Sequence, residues 1–504
     1  MRFINICAIL ICCLPLGSCK KYLDIKPKGS SIPATVADFD HLLDNYGTAE
    51  YYFRDNNSGS VISHLTDNVQ LSEGQAKVAF LLNNFTNMER YYGYTFRHPY
   101  RNPTGNDFFW SSNGGIYSNA RYFNSVIEGI RDLDNLSSAD QQQAKRVIAQ
   151  ALAARAWAYF NGNILYGPVY KPGLKNDTKT IPYITKADIT APNPQLSSQE
   201  EMFSHVLSDL HQSLADIPET SSWPSRPNKA AVQAMLAYCH LFKQNYDSVA
   251  YYANQAWSSA SGGSAGKLIY DYNRFSWATP ANPVVSQIVA EDNRLNVVNS
   301  KEMLFYRGTE QNAGVNMSYP SDEIIASFDQ ANDLRFKFFF LTAPGYRTSA
   351  GGGFDDGPRI FYYRAIKSKL TDGITYPELL LMRAEGYART NKLAEAIADL
   401  NTLRTFRYKT GTPPLVAGSQ EQVINLVLQE RRRELPLGGI KRFMDLKRLV
   451  LEPGKPWAKA QVKHQVGSQT YTGSIDSPDF TFNILNTVLQ FNPSWGIPLD
   501  TRSF

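Results

Sequence analysis

The chain has 504 residues, of which 43% are hydrophobic and 19% are charged, and its formal net charge is +5. A chain of this length can bury a stabilising core without cross-links, and so small a charge argues against a nucleic-acid-binding protein. Aromatic residues make up 12% of the sequence. Many of them fall in segments rich in glycine, asparagine and proline, where a core would not usually place them.

The first element in the chain is an export signal. Arg2 is followed by a mostly apolar stretch, about residues 3–16, which is too short to cross a hydrocarbon layer of about 30 Å as a helix. This stretch ends in the sequence LGSC at residues 16–19, a pattern that lipoprotein-processing enzymes accept. We therefore predict a signal peptide over residues 1–18 and acylation of Cys19, which would anchor the mature chain to a membrane. The alternative is a secreted protein with a coincidental cysteine at this position.

A short tether follows the anchor, so residues 19–35 are predicted to be the lipidated terminus and its linker. Pro27 and Gly29 oppose regular structure there. After processing, Cys239 is the one cysteine left with a free thiol, so no disulfide framework is expected. Cys239 lies in an apolar helical stretch, and we predict that it fills the core.

Apolar residues at steps of three and four predict helices over residues 116–133, 144–165 and 200–217. Two further stretches have the large and small residues typical of tetratricopeptide hairpins. One covers residues 229–257 and turns at Gln244 and Asn245, and the other covers residues 380–400 and turns at Asn391 and Lys392. Small residues at the contacts let paired helices approach closely, and stacked hairpins bury faces that none could bury alone.

The remaining segments are irregular. Residues 258–266 are predicted to be a linker, residues 267–322 a loop-rich aromatic stretch, and residues 343–357 a glycine-rich one. Long connections of this kind are usually functional or ordered by packing on a scaffold. The sequence GGGFDDG at residues 351–357 favours a surface turn over a calcium site. No metal ion or cofactor is predicted.

Several segments, in order along the chain, carry a family resemblance. The most distinctive is ERRREL at residues 430–435, followed by Gly439, Arg442 and DLKR at residues 445–448. The others lie at residues 19–24, 117–124, 153–168, 228–231, 302–305, 333–335 and 376–385. Together they resemble the SusD/RagB family of outer-membrane glycan-capture lipoproteins.

The resemblance implies a mostly α fold, with tetratricopeptide-like hairpins packed against a loop-rich, irregular half that contains a little β structure. It implies a helical N-terminal region over residues 36–260 and a C-terminal domain over residues 261–504. It also implies a location on the outer membrane, facing the cell exterior, and a glycan or oligosaccharide ligand. The implied partner is a SusC-like TonB-dependent transporter, which the lipoprotein covers as a lid.

The charged segment at residues 430–448 admits two interpretations. Its arginines could bind phosphate or nucleic acid, but Glu430, Glu434 and Asp445 are interspersed among them. Planar guanidinium groups pair well with carboxylates, so we predict a structural ion-pair network.

The sequence contains no common motif of metalloproteases, serine hydrolases or P-loop nucleotidases, and its seven histidines are scattered. We therefore predict that the protein is not an enzyme. A surface glycosidase stays an alternative, because the spacing of its two carboxylates is a property of the fold.

The predicted ligand contacts are aromatic residues in loops. A pyranose ring presents a face of C–H groups that packs on an aromatic ring, while its hydroxyls need polar partners. Residues 91–110 and 270–277 supply both kinds of group. The predicted ligand-binding residues are Tyr94, Arg97, Tyr100, Asn106, Trp110, Tyr272, Phe275 and Trp277. Trp110 could instead join its helix to a neighbour. Peptides or another nutrient could replace glycan as the ligand, and a structural lid with a degenerate site is a further alternative.

Overall fold

The computed structural model describes most of the chain after the predicted signal peptide. The described residues are 33–50, 61–81, 85–111, 114–188, 194–261, 264–283, 288–290, 300–308, 319–349, 353–362, 371–436 and 440–503. Cys19, and with it most of the predicted tether, lies outside these ranges.

Helices form most of the regular structure. Their bounds are Val36–Leu42 (α1), Tyr46–Glu50 (α2), Val61–His64 (α3), Glu73–Leu81 (α4), Phe85–Tyr94 (α5), Phe108–Ser111 (α6), Ile116–Arg131 (α7), Ser138–Tyr166 (α8), Gln199–Asp216 (α9), Lys229–Phe242 (α10), Tyr246–Ser261 (α11), Ala265–Leu268 (α12), Asp322–Ala326 (α13), Leu334–Phe339 (α14), Tyr376–Arg389 (α15), Leu393–Arg407 (α16), Gln420–Glu434 (α17), Lys441–Leu449 (α18) and Asn486–Leu489 (α19). Helices α7 to α11 and α15 to α17 pack against one another as a stack.

The three helices predicted from apolar spacing are confirmed as α7, α8 and α9. Helix α8 begins earlier than the apolar pattern because the Ser137 hydroxyl accepts a hydrogen bond from the Asp140 amide and caps it. Helix α9 begins with a capping box between Ser198 and Glu201. The predicted linker at residues 258–266 is wrong at both ends, because α11 continues to Ser261 and α12 begins at Ala265.

Both predicted helical hairpins are confirmed. Helices α10 and α11 are joined at Gln244, and α15 and α16 at Asn391; each of these residues adopts a positive φ that reverses the chain. The second hairpin packs on the first through a glycine. A Cβ atom on Gly386 of α15 would lie 2.7 Å from the backbone nitrogen of Ala250 in α11. The two helix backbones are therefore in direct contact.

Short antiparallel strand pairs complete the fold. The strands are Val69–Gln70 (β1), Lys179–Pro182 (β2), Leu196–Ser198 (β3), Ser276–Trp277 (β4), Ile288–Val289 (β5), Met303–Phe305 (β6), Tyr319–Pro320 (β7), Phe340–Pro344 (β8), Arg347–Thr348 (β9), Phe354–Asp355 (β10), Pro358–Tyr362 (β11), Ile374–Thr375 (β12), Gln461–Val466 (β13) and Gln469–Ser474 (β14). They pair as β1–β7, β2–β3, β4–β5, β6–β12, β8–β11, β9–β10 and β13–β14. Most belong to the C-terminal half, and the predicted mostly α fold with a little β structure is confirmed.

The largest core cluster contains residues from both halves of the chain. Trp157 of α8 packs against Phe305 of β6, and its indole N–H donates to the backbone oxygen of Asp372 at 2.9 Å. Cys239 is buried in the same cluster, and burial raises the pKa of its thiol, so its role as core filler is confirmed. The division of the chain near residue 260 stays a prediction, since the two regions share this core.

Candidate ligand-binding site

The six aromatic residues predicted to contact ligand lie in the interior. Tyr100 and Trp110 belong to the main core cluster, and Tyr94 is buried beside His464. Tyr272, Phe275 and Trp277 belong to a second cluster around α14. None of the six is more than 8% exposed. Rings buried in separate parts of the fold do not make one open aromatic surface, so the expected arrangement of these rings is corrected.

Distant parts of the chain cover the three N-terminal rings. Tyr94 stacks on His464 with ring centroids 4.0 Å apart, and its hydroxyl donates to the Gln465 backbone oxygen. Burial raises the pKa of Tyr94 to about 12. The Tyr100 hydroxyl donates to the backbone oxygen of Asp479 at 2.9 Å. Both residues therefore hold the C-terminal segment in place.

Trp110 joins its helix to neighbouring helices, which was the alternative to a role in ligand binding. Its ring centroid lies 4.5 Å from that of Tyr117 in α7, and it meets Tyr166 at the end of α8 edge to face. The indole thus joins α6 to its neighbours. Of the polar residues predicted with it, Arg97 and Asn106 are exposed, and their role in ligand binding stays a prediction.

The second set of rings, Tyr272, Phe275 and Trp277, also packs against other side chains. Tyr272 stacks on Phe275 with ring centroids 4.5 Å apart, and the Arg407 guanidinium lies 4.3 Å from the centre of the Tyr272 ring. Trp277 packs on Phe338 of α14. None of these three rings is more than 7% exposed, so they do not form an open surface for a sugar.

The predicted ion-pair network is confirmed. Its central cation, Arg335, contacts the carboxylates of Asp333, Glu430 and Glu434 at 2.7, 2.6 and 3.0 Å. Further pairs are Arg407–Glu302, Arg407–Glu434, Arg431–Glu378, Arg431–Asp445, Arg448–Glu385, Arg448–Asp445 and Arg442–Asp67. Most of these groups are buried, so the network joins elements of the fold and does not present charge to solvent.

An open cleft of about 640 Å³ lies where the end of α8, strand β2 and the C-terminal segment meet, and we call it the C-terminal cleft. Its volume is typical of sites for small ligands. Its apolar lining includes Pro168, Phe482, Ile484, Leu489, Ile497 and Leu499. Its polar lining includes Thr178, Lys179, Thr180, Asp476, Ser477, Asn483, Asp500 and Arg502.

Buried lysine Lys447 fixes one wall of this cleft. Its ammonium group donates to the backbone oxygens of Ile164 at 2.8 Å, Gly167 at 2.5 Å and Phe480 at 3.0 Å. A cation at the C-terminal end of α8 also interacts favourably with the helix dipole. Burial lowers the pKa of Lys447 to about 7. The side chain joins α8 to the segment that lines the cleft.

The C-terminal segment contributes both apolar and charged groups to the rim of the cleft. Ile497 is 40% and Leu499 is 51% exposed, and both line the opening. Arg502 donates to both carboxylate oxygens of Asp500 at 2.9 and 2.6 Å, and these hydrogen bonds lower the pKa of Asp500. Apolar walls beside hydrogen-bonding groups suit a ligand with C–H faces and hydroxyls.

One segment of the sequence, residues 491–499, could have indicated this cleft, although the search for aromatic loops did not identify it. Residues 491–499 read FNPSWGIPL, in which large apolar residues alternate with proline and glycine. Such a segment cannot form a regular amphipathic helix, so its apolar side chains are not committed to a helix–helix contact. Phe491, at its start, is 70% exposed.

In the described ranges of the chain, no group of three or more His, Cys, Asp or Glu side chains is placed to hold a metal ion. Within the same ranges, none of the helices combines the length and the apolar character that a membrane span requires.

The structure defines a mostly α-helical protein built on tetratricopeptide-like hairpins, with an open cleft beside its C-terminal segment. A family model described as starch-binding and associating with the outer membrane matches residues 21–241, and the SusD family model matches residues 361–488. The chain therefore belongs to the SusD/RagB family, as its sequence motifs predicted, and this family is associated with the outer membrane.

Solved structures show the same fold. A SusD-like carbohydrate binding protein from Bacteroides vulgatus is 17% identical, with 92% of this chain and 97% of that chain covered and a TM-score of 0.60. A SusD superfamily protein from Bacteroides thetaiotaomicron is 17% identical, with 91% and 98% covered and a TM-score of 0.62. One from Parabacteroides distasonis is 14% identical, with 91% and 97% covered and a TM-score of 0.61. A search of curated proteins found no match.

Proposed function

We propose that this chain is a non-catalytic lipoprotein on the outer-membrane surface that binds glycan or oligosaccharide and delivers it to a SusC-like TonB-dependent transporter. The observation that carries the proposal is the match to the starch-binding, outer-membrane family model over residues 21–241. The C-terminal cleft supports it, because its lining offers both apolar surface and hydrogen-bonding groups.

The membrane anchor in this proposal is Cys19, which follows a short apolar leader. Acyl chains on this cysteine would hold the protein at the membrane, since each buried CH₂ group contributes about 0.8 kcal/mol. Labelled palmitate should appear on the wild-type protein and be absent from Cys19→Ala. Exposure on the outer face follows if added protease degrades the protein on intact cells.

The absence of catalysis is supported by the charge state of the cleft. A glycosidase needs one carboxyl group that is protonated near neutral pH, and its pKa is therefore raised. Asp500 has the opposite shift, because Arg502 stabilises its ionised form. Asp476 forms an ion pair of 3.0 Å with Lys171 at the surface. Prolonged incubation with polysaccharides should release no reducing sugar.

Binding is tested with purified mature protein on a glycan array, with a peptide pool as the competing ligand class. We expect dissociation constants between about millimolar and micromolar, which correspond to roughly −4 to −8 kcal/mol. Leu499→Glu should weaken glycan binding because it places a charge on the apolar rim of the cleft. Val416→Glu is the matched control, since Val416 is 80% exposed and does not line the cleft.

Three outcomes contradict parts of the proposal. Binding to peptides and to no glycan would show that the ligand is a peptide and would contradict the proposed glycan ligand. Equal glycan binding by Leu499→Glu and the wild type would remove the C-terminal cleft from the site. Failure of the tagged lipoprotein to co-purify with any TonB-dependent barrel from its native membrane would contradict the transporter partnership.

A further inference from the structure

Trp223 differs from the other tryptophans of the chain. Five of the seven are buried, and Trp495 is half-buried with its indole N–H donating to the Pro194 backbone oxygen. Trp223 is 49% exposed. It lies in the connection between α9 and α10, which we call the 217–228 loop. A single exposed apolar residue is ordinary on a protein surface, so exposure alone does not indicate a site.

The second observation is that the 217–228 loop is fixed along its length. Pro224 and Ser225, directly after Trp223, accept hydrogen bonds on their backbone oxygens from the Tyr306 amide at 2.7 Å and from Arg307 at 2.9 Å. The Ser221 hydroxyl donates to the backbone oxygen of Trp223 at 3.1 Å. The backbone that carries the indole is therefore held from both sides.

An ion pair anchors the loop further. The guanidinium of Arg226 contacts Asp44 at 2.7 Å and Asp40 at 2.5 Å, and both carboxylates belong to the α1 region. Farther on, the backbone oxygen of Pro227 accepts a hydrogen bond from Gln150 of α8 at 3.1 Å. Three prolines in the loop restrict its backbone as well. The loop backbone therefore has little conformational entropy left to lose when a ligand contacts Trp223.

We propose that Trp223 is a pre-formed stacking platform for a pyranose ring of bound glycan, separate from the C-terminal cleft; this rests on the proposed glycan-binding function. The indole offers a flat face to C–H groups of the sugar. Exposed Thr220 and Ser222 lie close to it in sequence. The Glu219–Lys229 ion pair of 2.6 Å joins the same loop to the first residue of α10. These polar groups can bond to sugar hydroxyls.

The surroundings favour a sugar over a protein partner. A protein–protein contact site has a continuous apolar centre inside a polar rim. In the described 217–228 loop, Trp223 is the one exposed large apolar side chain, and its exposed neighbours are polar. A single aromatic ring among polar groups can stack on one sugar residue, but it does not provide the apolar centre that a protein partner requires.

The experiment is affinity electrophoresis through gels that contain amylopectin or another soluble polysaccharide that the wild type binds. Trp223→Ala should weaken retardation by about threefold to tenfold, as one aromatic contact allows, and Trp223→Phe should retain part of it. Tyr251→Ala is the matched control, because Tyr251 is 58% exposed on α11. Its retardation should equal that of the wild type.

The outcomes separate this inference from the function beneath it. A wild type that no polysaccharide retards contradicts the proposed function and the platform together. A retarded wild type with an equally retarded Trp223→Ala contradicts the platform alone. If Trp223→Ala binds polysaccharide normally but no longer co-purifies with a membrane barrel, the loop contacts protein and the inference is overturned.

A second measurement uses the unmodified protein. N-bromosuccinimide oxidises accessible indoles, and Trp223 should react first because most of the other tryptophans are buried. Saturating polysaccharide should slow oxidation of Trp223, located by peptide mass spectrometry. Unchanged oxidation under saturation would contradict the platform.

Discussion

Arg335 and Glu430 lie 95 residues apart in the sequence and form an ion pair of 2.6 Å in which neither side chain is exposed to solvent. Burying two charges is unfavourable unless each is paired and hydrogen-bonded. Asp333 and Glu434 supply the remaining acceptors of the guanidinium. This relationship ties α14 to α17 and fixes the irregular C-terminal half against the helical stack.

Removal of Arg335 should therefore be strongly destabilising. Arg335→Met leaves Glu430 and its neighbouring carboxylates without their shared cation, and we expect a loss of about 3–5 kcal/mol in the free energy of unfolding. Urea denaturation followed by circular dichroism measures this. Lys455→Met is the control: Lys455 pairs with Glu421 and both are about half exposed, so its loss should be under about 1 kcal/mol. Equal losses for the two variants would contradict a structural role for the buried network.

The same network predicts acid sensitivity. Burial alone would raise the pKa of Glu430, but Arg335 and Arg433 outweigh burial and lower it to about 2 from 4.5. A carboxyl group with a lowered pKa stabilises the fold above its unfolded pKa, and this contribution is lost as pH falls towards its folded pKa. The stability advantage of the wild type over Glu430→Gln should thus be complete above about pH 5 and shrink towards pH 2. Urea titrations at successive pH values measure it, and a constant difference down to pH 3 would contradict the assignment.

Contact between the hairpins gives a third prediction. Any side chain at Gly386 meets the α11 backbone, since a Cβ would lie 2.7 Å from the Ala250 nitrogen. Gly386→Val should lower the free energy of unfolding by about 1–3 kcal/mol, because the new side chain overpacks the contact. This loss should exceed the small gain from removing a glycine from a helix interior. Thermal unfolding measures the change. Gly266→Val is the control, because no atom lies within 4 Å of a Cβ built there. Stability equal to the wild type in Gly386→Val would show that the helices do not touch as described.

A substitution at Arg442 tests whether the charged segment at residues 430–448 contributes to stability or to ligand binding. It donates to both oxygens of the buried Asp67 carboxylate at 2.7 and 2.8 Å, and it does not line the C-terminal cleft. Arg442→Met should lower the melting temperature and leave glycan affinity unchanged at temperatures where the variant is folded. Differential scanning fluorimetry and isothermal titration calorimetry measure the two properties. Normal stability with lost binding would reassign this charged segment to the ligand site.

The helices and hairpins were predictable because their information is local. Apolar spacing, the cap at Ser198 and the turn residues Gln244 and Asn391 each act within a few positions. The arginines of residues 430–448 were also correctly assigned to ion pairs, since carboxylates alternate with them in sequence. Their partners far away in the sequence, such as Asp67 and Glu302, could not be identified, because no local pattern links them to these arginines.

The positions of the aromatic rings were not predictable. Tyr94 and His464 are 370 residues apart in sequence, and Tyr272 is covered by Arg407. Loop composition suggested exposure, but tertiary contacts between distant segments bury these rings. Trp223 was overlooked for the related reason that its exposure depends on backbone bonds to Tyr306 and Arg307, which no local pattern reveals.

The most direct test of the account is the titration of purified mature protein with polysaccharides and their oligosaccharides by calorimetry, alongside a reducing-sugar assay of the same mixtures. The account predicts saturable binding of at least one glycan with a dissociation constant between about a millimolar and a micromolar, and no release of reducing ends. Binding of no glycan, or cleavage of the glycan that binds, would contradict it.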